Sequence, residues 1–174
     1  MGTHLLADRF RRWFRYERES HGKTLASLES VPAAARDSDA YRKAVGLLAH
    51  VVLARWLWLT RLGAAPEGSP LPKSDEEFFP MDVDPGEMRA RLAAMEDAWA
   101  SYLETLDDEA LARVFTYRSL DGPAYRNTVE EILTQLFGHS WYHRGQIASL
   151  VRALGGAPAR TDFVFWARER VDPA

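Results

Sequence analysis

The chain has 174 residues, 25 acidic against 22 basic, a net charge of -3 and no cysteine. That length is enough to bury a core without covalent staples and most economically makes one domain, residues 1–174. The missing cysteines exclude disulfides, thiolate metal sites and a cysteine nucleophile, and the mild, interspersed charge gives no reason to expect nucleic acid as a partner. The most apolar run, from Ala44 to Leu62, carries His50, Arg55 and Arg61, so no membrane span is expected. Charge follows the N-terminus where a signal peptide would need its apolar core, and a cytoplasmic location is the expectation.

From Thr3 to Val31, Leu6, Phe10, Trp13, Phe14, Leu25 and Leu28 recur at spacings near three, four and seven, which predicts an amphipathic helix weakened around Gly22 and stopped by Pro32. After a linker with a cap at Asp37 or Ser38, a second helix is predicted from Tyr41 to Leu62. Its apolar face comprises Ala44, Leu47, Leu48, Val51, Arg55, Trp58, Leu59 and Leu62, and His50 stands on the packed side or its edge. Gly63 ends it and opens a proline-rich stretch to Pro85. Phe78, Phe79 and Met81 predict that the later half of this loop folds back and walls the mouth of a pocket.

Asp84, Pro85 and Glu87 form a helix start, with an acid at the cap and proline in the first turn. The third helix runs to about Thr105 with Met88, Leu92, Met95, Trp99, Tyr102 and Leu103 on its apolar face. Asp107 to Glu109 caps a short turn, and Val114 to Leu120 reads as an extended segment. Asn127 or Thr128 with the glutamates at 130 and 131 makes a capping-box pattern for a fourth helix ending near Leu154, before Gly155. The aromatic tail around Phe163 and Trp166 predicts a short C-terminal helix. Four long helices joined by a long crossover loop fit an all-α four-helix bundle.

The sharpest chemical signal lies in the fourth helix. His139 and His143 are four residues apart, which places both imidazoles on one helical face about 5–6 Å apart at Cβ. A single such pair is often a surface coincidence, and a lone His50 is well explained as a hydrogen-bonded core imidazole. Together, His50, His139 and His143 make a three-histidine set that suits zinc, nickel, copper or ferrous iron better than magnesium or calcium. Such a set leaves a coordination position open, as in catalytic sites, and a metal there can bind water or a thiol as a nucleophile. Ser140, Trp141 and Tyr142 stand between the histidines, so the general base of a zincin protease is missing.

Gln146 and Gln135 flank the pair and can orient an imidazole or a bound water, and solvated glutamines at a helix seam are an equally open reading. Arg144 points about 100° away from His143 and is more simply a structural salt bridge to another helix. Gly145 is expected to admit a neighbouring helix, Trp141 and Tyr142 to pack, His21 to be a further polar group near the metal, and His4 to be solvated. Trp13, Trp56 and Trp166 would suit a subunit interface.

The Leu-Leu-Ala-His ending at His50, the stretch from Asn127 to Leu133, the HxxxHRGQ motif from His139 to Gln146, and the ending from Gly155 to Phe163 together resemble the DinB-like family of bacterial metalloproteins over nearly the whole chain. The resemblance implies an antiparallel four-helix bundle holding a divalent metal through His50, His139 and His143. Relatives include bacillithiol S-transferases and a mycothiol-dependent maleylpyruvate isomerase, and many members are dimers. It thus implies a metal-dependent enzyme, a thiol S-transferase joining an external low-molecular-weight thiol to an electrophile in detoxification, with zinc, nickel or iron as metal and a homodimer as the assembly. A metal-dependent hydrolase and a non-catalytic metal-binding stress protein are the alternatives. Some members carry histidine where this chain has Gln135, and many carry asparagine and tryptophan near Glu19 to His21, differences that bear on the substrate more than on the metal.

Overall fold

The computed structural model describes residues 5–171, so the expectation for His4 lies outside the described residues. Four long helices carry the fold: α1 (Leu5–Glu29), α2 (Asp39–Arg61), α4 (Met88–Glu104) and α6 (Val129–Ala153). Short helices α3 (Asp75–Phe78), α5 (Asp108–Ala112) and α7 (Phe163–Ala167) fill the connections and the tail. Helix α1 packs against α4 and α6, and α2 packs against the same two helices, so the contacts close into a ring.

Local chemistry accounts for the boundaries. Ser38 Oγ accepts from the Tyr41 amide at the start of α2, and Thr128 and Glu131 form a reciprocal capping box at the start of α6. Asp84 accepts from the Gly86 amide and opens a 3-10 turn, Pro85–Glu87, that leads into α4. Gly63 and Gly155 take positive φ of 76° and 78° just past α2 and α6, a conformation costly for residues with a Cβ. Gly22 does not interrupt α1: twenty-five residues with a strong apolar stripe outweigh a single unfavourable propensity.

The core is one hydrophobic cluster in which Leu48, Leu59, Met95, Trp99, Leu133, Leu136 and Ile147 are almost wholly buried. Each such side chain contributes about 1.5–3 kcal/mol relative to exposure. Trp56 belongs to this cluster, at 6% exposure, which removes it from the candidate interface residues. Helix α2 is long and apolar enough to pass for a membrane span, yet 72% of its most apolar window is buried within the fold.

The chain is mostly helical, compatible with the all-α expectation, and adds one small two-stranded sheet. Strands β1 (Val114–Arg118) and β2 (Ala124–Thr128) pair antiparallel, with Val114 opposite Thr128 and Tyr117 opposite Tyr125. β1 coincides with the predicted extended segment. β2 is mostly exposed, so it carries no alternating apolar pattern to announce it. Arg61 fixes the hairpin to α2: its guanidinium lies 4.7 Å from the Trp58 ring centroid and 4.9 Å from that of Tyr117, and it donates to the Arg118 carbonyl at 2.8 Å.

Candidate metal centre

Helices α2 and α6 pack closely, and their contact brings the three predicted histidines together. His139 and His143, one turn apart on α6, have ring centroids 4.4 Å apart, and His50 reaches them from α2 at 4.9 and 4.7 Å. His139 Nε2 lies 2.9 Å from His50 Nε2 and 3.1 Å from His143 Nε2. Nitrogens bound tetrahedrally at zinc–nitrogen distances would lie about 3.3 Å apart, close to this spacing. The three side chains can hold a metal ion.

The outward nitrogens decide what the inner ones can do. His50 Nδ1 is 2.7 Å from the Phe78 carbonyl oxygen, and His143 Nδ1 is 2.7 Å from Gln146 Oε1. Both partners only accept, so each neutral ring carries its proton on Nδ1 and presents a bare lone pair at Nε2. Both lone pairs face His139 Nε2, which has at most one hydrogen to give. The cluster therefore cannot satisfy itself, whereas a cation among the nitrogens would engage all three lone pairs. An all-imidazole donor set fits zinc, nickel, copper or ferrous iron.

Electrostatics keeps the rings unprotonated. Burial pushes His50 down to about 4, although the Phe78 carbonyl opposes the shift. Burial, then the neighbouring His143, His50 and Arg55, pushes His139 down to about 3. Burial also lowers His143, against the hydrogen bond to Gln146. At neutral pH all three are free to act as ligands.

Aromatic rings surround the cluster. Phe79 stacks on His50 at 4.0 Å between centroids, and Phe78 meets it edge-on at 4.8 Å, so the later half of the crossover loop folds back as expected. Pro70, in the same loop, walls a cavity of about 460 Å³ with Val52, Leu53 and Trp56 of α2 and Ala90 and Ala94 of α4. Tyr142 packs edge-on to His143 at 5.1 Å. Tyr142 and Trp141 remain 65% and 44% exposed, yet both pack as expected, Trp141 lying edge-on to Trp13 at 6.4 Å and to Tyr16 at 6.5 Å.

The other predicted residues separate. Gln146 sits where an orienting residue should. Gln135 is exposed and makes none of the triad's hydrogen bonds among the described residues. Gly145 admits no helix, since nothing lies within 4 Å of where its Cβ would stand. Arg144 is structural: Nη1 donates to Glu17 Oε1 at 2.7 Å and Nη2 to the Tyr16 hydroxyl at 2.8 Å.

Sequence reasoning missed the hub to which Arg144 belongs. Glu17 is wholly buried, and Arg55 grips its other oxygen while also donating to Ser140 Oγ at 3.3 Å. Burial would push the Glu17 carboxyl up, but Arg55 foremost, with His21 and Arg144, outweighs it and leaves it below the usual range. One carboxylate thus joins α1 to α2 and α6 beside the histidine-bearing turns. His21 lies in this cluster, not at the triad, with Nδ1 2.9 Å from Glu96 Oε1. The signal was a charged residue on an otherwise apolar stripe, Glu17 in α1 and Arg55 in α2.

No curated protein and no solved structure matches the chain. The DinB family model matches residues 1–171, and with a helical fold and a histidine triad able to hold a metal, the chain belongs to the DinB family.

Proposed function

We propose that this protein is a metal-dependent thiol S-transferase whose metal ligands are His50, His139 and His143. The observation that carries the reading is the convergence of three neutral imidazole nitrogens, two with their lone pairs turned inward by Phe78 and Gln146. A divalent ion held there would supply a Lewis acid that keeps a thiol deprotonated near neutral pH. The chain's own residues do the rest: Phe78 and Gln146 hold the imidazole tautomers, and Phe79 and Tyr142 place apolar surface beside the cluster for an organic substrate. In the overall reaction the thiol proton passes to solvent, the sulfur bonds to the electrophilic carbon, and the leaving group departs with its electron pair.

The choice of a thiol rests on the family resemblance of the HxxxHRGQ motif and His50. The same proposal includes a homodimer, which rests on the family resemblance alone, and a single-domain antiparallel four-helix bundle, supported by the closed ring of helix contacts and the single hydrophobic cluster. The test is conjugation of 1-chloro-2,4-dinitrobenzene by zinc-loaded protein with bacillithiol, mycothiol or glutathione. Acceleration by the parent and its loss in His143→Ala are expected. No acceleration with any thiol refutes the transferase, and thiol-independent loss of the electrophile would indicate hydrolysis instead.

A further inference from the structure

Gly46 lies one helical turn before His50 on α2, and its missing side chain is filled by the crossover loop. A Cβ built at Gly46 would overlap the Pro80 carbonyl oxygen and stand 3.3 Å from its carbon and 3.9 Å from Met81 Cα. Backbone therefore rests directly on backbone at this point. Two residues upstream, the Phe78 carbonyl accepts from His50 Nδ1, and the intervening Phe79 ring lies parallel to the imidazole, 13° from coplanar. A segment of three residues thus has one anchor on α2 at Gly46 and two contacts with the histidine one turn further along.

We propose that Gly46 is a positioning residue for the metal centre: by seating Pro80 against α2 it holds the Phe78 carbonyl and the Phe79 ring on His50, which fixes that ligand's tautomer and ring plane. The inference rests on the metal reading above. Its logic is that a carbonyl cannot be placed by side-chain choice; it goes where the backbone is held, and only glycine at 46 lets the backbone come this close. Alanine at 46 forces the segment outward, frees His50 to carry its proton on either nitrogen, and removes the outer partner that orients it.

The experiment compares the parent, Gly46→Ala and Gly22→Ala. The last adds a methyl to α1 where nothing lies within 4 Å and is expected to match the parent. Zinc affinity is measured by chelator competition, and the His50 tautomer in the metal-free protein by ¹⁵N NMR of the imidazoles. Gly46→Ala is expected to keep its far-UV helicity, to bind zinc roughly tenfold to hundredfold more weakly, and to lose the uniform Nδ1–H form of His50. Zinc affinity within twofold of the parent, or a His50 that keeps its Nδ1–H, overturns the proposal. A helix-packing role alone would leave the tautomer unmoved. Should Gly46→Ala fail to fold, a glycine inserted between Phe79 and Pro80 leaves α2 and the Pro80 seat untouched but uncouples that seat from the Phe78 carbonyl, and it carries the same expected and overturning results. A parent that takes up no zinc overturns the metal reading instead, and the His50 tautomer then decides this inference alone.

Discussion

Replacing Glu17 by methionine removes the carboxylate from the buried hub while keeping similar bulk. Arg55 and Arg144 are 1% and 4% exposed, so both guanidinium groups would be left with charge that water cannot reach. Two charge-assisted hydrogen bonds are lost, at about 1.5–3 kcal/mol each. Arg55 keeps Ser140 Oγ at 3.3 Å and Arg144 keeps the Tyr16 hydroxyl at 2.8 Å, which holds the net loss to about 3–5 kcal/mol, the range for breaking a buried pair. Urea unfolding followed by circular dichroism should show the midpoint falling by roughly 1–3 M. The triple replacement of Glu17, Arg55 and Arg144 by methionine should recover most of the loss, because neither guanidinium is then left buried without its carboxylate. A Glu17→Met protein within about 1 kcal/mol of the parent refutes the hub as a structural element, by the usual spread of surface substitutions.

Gln146→Leu removes the acceptor that holds the His143 proton on Nδ1, and zinc affinity by chelator competition should fall roughly tenfold to hundredfold; unchanged affinity would show that Gln146 does not orient the ligand. Thr128→Ala breaks the capping box of α6 and should cost about 0.5–2 kcal/mol in urea unfolding, with a null effect counting against the cap. The folded-state values of His50 and His139, about 4 and about 3, lie below the ordinary 6.5. The unfolded metal-free chain therefore binds more protons in this window. Stability should be full above pH 6.5 and decline as pH falls toward 4, by up to about 1.4 kcal/mol per pH unit for each ring. Urea midpoints that stay level between pH 7 and 5 would contradict it.

The four long helices and their ends were legible because caps, glycines and apolar stripes recur at the helical period. His139 and His143 follow from that period alone. His50 could be placed on the packed side of α2, but whether it faced the α6 pair depended on packing that one helix cannot announce. Glu17 and Arg55 were visible as charges on apolar stripes, yet their pairing joins residues 38 apart, and nothing local encodes it. β2 was missed because its mostly exposed residues carry no burial pattern, and its pairing depends on β1. The Phe78 contact with His50 runs through a carbonyl, which every residue has, so no side-chain pattern could single it out.

The most direct test of the central claim is a zinc titration of chelator-treated protein, read as stoichiometry and affinity, for the parent and for His50→Ala, His139→Ala and His143→Ala. The account predicts one tightly held zinc per parent chain and, in each variant, a loss larger than the tenfold to hundredfold expected for an outer partner. A parent that binds no zinc, or alanine variants that bind it as tightly as the parent, would contradict it.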